Sequence, residues 1–320
     1  MAERSTGLAA QTDTGAAAGH AGIAPYANDL DQVGRRRQIL RVWQTAHLSR
    51  LGKQIEFMQF GRDGLRPLIW LQSVEYPMAP PWGLCVDASE KGFGVVSVRR
   101  PGFGGTSPVT SVEEEVSLLN AFLEEAGFEN AVLIVEGTAR PAGLRLAMEN
   151  PRIAFTVLAK PLYFAASFGD LDPWFRDILL QALQTRAGAA VSLAAIQQIG
   201  RTAGYNWLYE NIFRIDGDLS FVRGFQRDIA EAWSCLRSIS ADTFRMNLSA
   251  LIPDPSLAPG YLSGLNAVAV IGVDTPEVWR QGFEARSEEL GIKRSFMPQG
   301  SVFALHQNPD ALLGLITQSC

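Results

Sequence analysis

Three imidazoles and three thiols are the side chains of this chain best suited to act as base or nucleophile near neutral pH: His20, His47 and His306, and Cys85, Cys235 and Cys320. An imidazole can shuttle protons, and a thiolate can attack an electrophile. The thiols are far apart in sequence and form neither a disulfide framework nor a C-x-x-C pair. Cys85 follows Pro80-Pro81-Trp82-Gly83-Leu84 and Cys235 falls in a helix-like run, so both read as packing residues. His20 lies in a segment dominated by Ala, Gly, Thr and Ser, and His47 sits just after an early strand, which leaves His306 as the imidazole to watch. No His/Cys/Asp cluster has metal-ligand spacing. Gly102-Phe103-Gly104-Gly105 is glycine-rich but lacks G-x-G-x-x-G, and no Lys-Ser/Thr follows, so neither a dinucleotide nor a P-loop site is supported. No metal and no cofactor is expected.

The bulk numbers narrow the class. The chain has 320 residues, 47% of them hydrophobic, enough for one large α/β domain with an insertion or for two small domains. Its formal net charge of −5 argues against a nucleic-acid partner. Arg35-Arg36-Arg37 is short and preceded by Asp29 and Asp31, and reads as a solvated turn. No apolar run reaches the ~18 residues of a membrane span, and the N-terminus lacks a charged-then-apolar signal pattern. The scarcity of cysteine suits a reducing compartment, so a cytoplasmic location is expected. Residues 1–27 carry few large apolar side chains and are expected to be a disordered tail.

The elements come in a recognisable order. Ile39–Thr45 and Gln54–Phe60 alternate apolar and polar residues, as half-buried antiparallel strands do, with a turn at Leu51-Gly52-Lys53. Pro67–Leu71, Gly94–Val98, Ala131–Val135 and Ile153–Ala159 are nearly continuous apolar runs, the mark of strands buried on both faces. Helical patterns over Glu113–Gly127 and Leu144–Met148 fall between them, the first opening on Glu113-Glu114-Glu115, where acids favour the helix dipole. From Lys160 to about Gly264 only helix-like runs occur: Trp174–Thr185, Ala190–Ile199, Leu219–Ile239 and Ala241–Leu251, with a turn at Pro253-Asp254-Pro255. Alternation resumes with a strand at Ala267–Gly272, a helix over Pro276–Leu290, a short strand at Ile292–Met297, and a last helix from Asn308-Pro309 to Thr317. This order predicts a mostly parallel sheet with right-handed crossovers, flanked by helices. The expected layout is an α/β core over residues 28–160 and 265–320, with residues 161–264 inserted as a helical cap. Its aromatics, Trp174, Phe175, Tyr205, Trp207, Tyr209 and Phe213, are read mainly as cap core, some facing a cleft.

One loop carries a family resemblance. Strand Gly94–Val98 runs into Arg99-Arg100-Pro101-Gly102-Phe103-Gly104-Gly105-Thr106-Ser107, followed by a helix and the strand Ala131–Val135. This resembles the α/β-hydrolase superfamily, in which an R-P-G-F/Y-G-x-S loop precedes the helix leading to the nucleophile strand. The resemblance implies an α/β-hydrolase-like fold. It also implies a nucleophile on a tight elbow after that strand, then an acid and a histidine later in the chain.

At each of those places this chain departs from the family. The elbow reads Glu136-Gly137-Thr138-Ala139-Arg140-Pro141 instead of G-x-S-x-G. If Thr138 takes the nucleophile place, its flanks Glu136 and Arg140 are bulky and its own β-branching makes a strained backbone harder to hold; if Gly137 takes it, there is no nucleophile. Thr138 also reads as a helix N-cap. The acid position holds Thr275, with Asp274 one place early and fitting a helix cap. The histidine position, counted back from Pro309, holds Val302, with His306 past the loop. Gln72-Ser73-Val74 replaces the His-Gly that often supplies the oxyanion hole, although the backbone N–H groups of Val74 and Ala139 could still serve. Gln72, Ser73, Val74, Gly137, Thr138 and Ala139 are therefore the expected ligand-binding set. Together these departures predict a non-hydrolytic member that binds a small apolar molecule or a protein partner in a sensing or regulatory role. The competing reading is a hydrolase of small esters or amides with relocated groups, Thr138, Asp274 and His306, with Glu136 as a further candidate.

Overall fold

The computed structural model describes residues 42–62, 64–161, 181–248, 250 and 257–319. The expected tail, the Arg35–Arg37 turn, most of the Trp174–Thr185 helix and the Pro253–Pro255 turn lie outside the described residues.

Eight strands form one sheet: β1 (Gln44–Leu48), β2 (Lys53–Phe60), β3 (Arg66–Leu71), β4 (Phe93–Val98), β5 (Ala131–Glu136), β6 (Ile153–Ala159), β7 (Ala267–Gly272) and β8 (Lys293–Met297). Their order is β1-β2-β4-β3-β5-β6-β7-β8. β1 pairs antiparallel with β2, and β2 with β4; every other pairing is parallel. Every residue of β4, β5 and β7 is buried, which explains their unbroken apolar runs. Successive residues face opposite sides. Ile69, Leu71, Leu133 and Val135 meet Leu119, Phe122, Leu146 and Phe283 on one face. Leu68, Trp70, Val132 and Ile134 meet Leu84, Leu312, Leu313 and Ile316 on the other.

Local chemistry sets the helix ends. The Ser111 hydroxyl accepts from the Glu114 N–H at 3.2 Å and starts helix Val112–Glu125. Gly291, at φ 74°, closes helix Glu277–Leu290.

Several boundaries correct the sequence reading. Of the expected first strand, residues 39–41 lie outside the described residues and Val42 and Trp43 precede β1, which starts at Gln44 where pairing with Lys53–Phe57 sets its register. The run read as one helix over Leu219–Ile239 is two, Asp216–Gly224 and Gln226–Leu236, broken at Phe225 (φ −116°, ψ 45°). Helices Trp82–Glu90, Tyr205–Ile212 and the short Ala304–Gln307 were not anticipated.

Between β6 and β7 the described residues hold five whole helices: Arg186–Thr202, Tyr205–Ile212, Asp216–Gly224, Gln226–Leu236 and Ala241–Leu248. Their apolar faces share one buried cluster with Val74, Tyr76, Met78, Phe103 and Phe303, which come from loops at the carboxyl ends of the strands. The inserted helices thus pack on the end of the sheet where ligands of open α/β folds bind. Among the described residues no helix is long and apolar enough to cross a membrane.

Candidate functional site

β5 ends at Glu136 and the chain turns through a single 3-10 turn, Gly137–Ala139, into helix Arg140–Glu149. Gly137 has φ +44°, whereas Thr138 does not have a positive φ. The left-handed position of the elbow therefore belongs to glycine, which alone adopts it without a Cβ penalty. A Cβ built on Gly137 would lie 2.5 Å from Ser73 Oγ and 3.2 Å from Ser73 Cβ. The place where a nucleophilic side chain would start is occupied by another residue's hydroxyl.

This register decides the hydrogen bonding around the elbow. With glycine at the turn, the N–H following it is that of Thr138, not of Ala139. That N–H donates to Ser73 Oγ at 3.1 Å. The opposing donor, the Val74 N–H, gives its bond to Thr138 Oγ1 at 2.8 Å. Both donors of an oxyanion hole are thus engaged by the protein's own hydroxyls. Ser73 in turn donates to the carboxylate of Glu75. Thr138 is not a helix cap: helix Arg140–Glu149 starts after Ala139 with no side-chain cap. Gln72 donates from its side chain to Ser97 Oγ, and Ala139 is buried in the core.

A buried arginine fills the adjoining space. Arg100, from the glycine loop after β4, binds Glu115 through Nε at 2.7 Å and Nη2 at 3.1 Å. Its Nη1 donates to Asn247 Oδ1 at 2.6 Å, and to the Gln72 carbonyl and Thr138 Oγ1 at 3.4 Å each. Arg100 and Glu115 are 4% and 1% exposed, so the pair is held by bidentate geometry away from water. Asn247 comes from the inserted helix Ala241–Leu248, so this network joins those helices to the elbow.

The other candidates lie elsewhere. His306 Nε2 is 3.0 Å from Glu136 Oε1, and Trp70 Nε1 donates to Glu136 Oε2 at 2.9 Å. His306 and Glu136, both raised by the sequence, are thus brought together, but among the described residues the Thr138 hydroxyl and N–H bond Ser73, Val74, Arg100 and Asn247 and not His306. Asp274 Oδ2 accepts from the Gly300 N–H at 2.6 Å, which orders the 298–302 loop, and it neither caps helix Glu277–Leu290 nor meets the elbow. Val302, at the histidine position, donates its N–H to Asp218 Oδ2 at 3.0 Å. The same carboxylate, on inserted helix Asp216–Gly224, accepts from Ser301 and Phe303 N–H at 3.1 and 3.2 Å. Three successive amides cradling a fully buried carboxylate form an anion nest and pin the insertion to the end of the sheet.

Two tyrosines of this region carry perturbed phenols. Burial raises the Tyr76 pKa well above its ordinary value, and the carboxylates of Glu136, Glu75 and Asp218 push it further. Burial likewise raises Tyr209, with Cys235 and Glu75 adding to it. Among the described residues no group of three His, Cys, Asp or Glu could hold a metal ion. Glu75, Asp218 and Arg100 escaped the sequence reading as site residues. Arg100 and Asp218 act through partners more than a dozen residues away, which no local pattern reveals, and Glu75 bonds Ser73 only through the fold of the loop after β3.

No family model matches the sequence, and no curated protein matches it. Solved structures do resemble it. A bromoperoxidase from Bacillus anthracis superposes with a TM-score of 0.62 at 17% identity, over 86% of this chain and 100% of that one. The Cif epoxide hydrolase from Acinetobacter nosocomialis gives 0.61 at 14% identity, over 92% and 94%. An α/β hydrolase from a Medee basin deep-sea metagenome library gives 0.57 at 15% identity, over 84% and 94%. At such identities the likeness establishes the fold: this chain has the α/β-hydrolase fold.

Proposed function

We propose that this chain is a non-hydrolytic protein of the α/β-hydrolase fold that binds a small, largely apolar molecule in a sensing or regulatory role. In this reading residues 161–264 are the cap and the core spans 28–160 and 265–320. The observation that carries it is the elbow. Gly137 offers no nucleophile, and Ser73 Oγ and Thr138 Oγ1 already hold the two N–H groups that would stabilise an oxyanion. A ligand in such a site meets no attacking group and no free hole. A small molecule is favoured over a protein partner because the unpaired polar atoms near the elbow, Tyr76 Oη and His306 Nδ1, are buried beyond the reach of a protein surface. Cys85 and Cys235 form no disulfide among the described residues, in keeping with a cytoplasmic location.

The test is turnover of a panel of short- and medium-chain p-nitrophenyl esters by the purified chain, beside Ser73→Ala, Thr138→Ala and His306→Ala. We expect no turnover above buffer, or a trace that no variant changes. Turnover abolished by Thr138→Ala and His306→Ala would establish the relocated-group hydrolase instead, and turnover abolished by Ser73→Ala alone would identify a displaced nucleophile.

A further inference from the structure

Glu75 is the least explained charge near the elbow. It is half-buried on the loop after β3, and its Oε2 lies 3.9 Å from the point where a Gly137 side chain would begin. Its hydrogen bond is to the Ser73 hydroxyl, and among the described residues no lysine or arginine pairs with it. A carboxylate there repels any anion or developing oxyanion and attracts a cation.

Next to it stand buried polar atoms with nothing to bind. Tyr76 Oη, Tyr209 Oη and His306 Nδ1 are enclosed and have no hydrogen-bond partner among the described residues. All three rings are less than 4% exposed. Buried polar atoms are satisfied in the great majority of cases, so three orphans in one cluster require a partner. The rings adjoin. Tyr76 lies 6.0 Å from His306 and 5.0 Å from Phe303 between centroids, and Phe213 bridges Tyr76 at 6.2 Å to Tyr209 at 5.8 Å.

The orphans share one chemical property: each can accept a hydrogen bond. A phenol oxygen accepts as well as donates, and the His306 tautomer that donates from Nε2 to Glu136 presents a lone pair at Nδ1. Acceptors, aromatic faces and a carboxylate that meets no lysine or arginine among the described residues are the partners of a cation that carries N–H groups. The surrounding charge agrees, since Glu136 and Asp218 lie close enough to act on the Tyr76 phenol together with Glu75.

We propose that the region between Glu75 and the Tyr76–His306 edge binds the protonated head of a small primary amine, with its apolar body against Phe213, Phe303 and Tyr209. This rests on the ligand-binding reading above and names the ligand's class. The R–NH3+ group supplies three N–H donors, the number a carboxylate and two of these acceptors require. Anionic ligands are disfavoured by three carboxylates, and a neutral alcohol leaves Glu75 without a counter-charge.

The test is calorimetric titration of the full chain at neutral pH with n-hexylammonium, n-hexanol and n-hexanoate, which share one apolar body. We expect n-hexylammonium to bind at least about tenfold more tightly than n-hexanol, the ratio of a modest charge-assisted contact, and n-hexanoate to bind not at all. Glu75→Gln, which keeps shape and removes charge, should weaken n-hexylammonium by about tenfold or more and leave n-hexanol unchanged. Tyr76→Phe should weaken n-hexylammonium without altering the preference against n-hexanoate. Equal binding of alcohol and ammonium, preference for n-hexanoate, indifference to Glu75→Gln, or no binding of any of the three would each overturn the inference. Binding of n-hexanol alone would do so while leaving the non-hydrolytic ligand-binding reading intact. That reading falls instead with ester turnover that depends on Ser73, Thr138 or His306.

Discussion

Replacing Gly137 with alanine tests the elbow directly. An L-residue in the left-handed region costs about 1–2 kcal/mol. The new Cβ would also sit 2.5 Å from Ser73 Oγ, so that hydroxyl must move. Moving it breaks the bond from Thr138 N–H and the bond to Glu75, each worth roughly 1 kcal/mol net. The expected loss is about 3–4 kcal/mol, read from urea denaturation midpoints at constant slope. In a Ser73→Ala background the oxygen is gone and only the 3.2 Å approach of Cβ remains. There Gly137→Ala should cost only about 1–2 kcal/mol, leaving a coupling between the two sites of order 1 kcal/mol or more. A Gly137→Ala protein within about 0.5 kcal/mol of the parent, with no coupling to Ser73, would refute the argument. It would place the left-handed residue elsewhere and reopen Thr138 as the elbow residue.

Two further outcomes follow from the same geometry. Asp218→Ala leaves three amides, two of them buried, without their acceptor, so hydrogen exchange at Ser301, Val302 and Phe303 should speed up and stability should fall by about 2–4 kcal/mol; unchanged exchange at those amides would show that the nest does not hold the insertion. The Cys235 thiol is pushed up to about 11, chiefly by burial, with Arg99 opposing and Glu231 and Glu56 adding. Between about pH 9 and 11 the native state therefore keeps a proton that the unfolded chain releases, so this contribution is complete below pH 9 and is lost as pH rises. Denaturation midpoints across that range should decline more steeply for the parent than for Cys235→Ala, and parallel declines would contradict the assignment.

The sheet was legible in the sequence because burial on both faces demands unbroken apolar runs. Those at Gly94–Val98, Ala131–Val135, Ile153–Ala159 and Ala267–Gly272 each became a strand of the core. The glycine loop after β4 and the absence of G-x-S-x-G were equally plain, since both are local patterns. The elbow register was not. Glu136-Gly137-Thr138 allows either residue at the turn, and only the backbone, with φ +44° at Gly137, chooses between them. Once that choice is made, the donors expected to face a ligand turn inward to Ser73 and Thr138. The roles of Arg100, Asp218 and Glu75 were hidden for a common reason. Arg100 meets Asn247 across 147 residues, and Asp218 meets Ser301 across 83. A charged residue in sequence shows only that it needs a partner or water. Which partner it finds, and that Glu75 meets the Ser73 hydroxyl but no lysine or arginine among the described residues, is decided only in the folded chain.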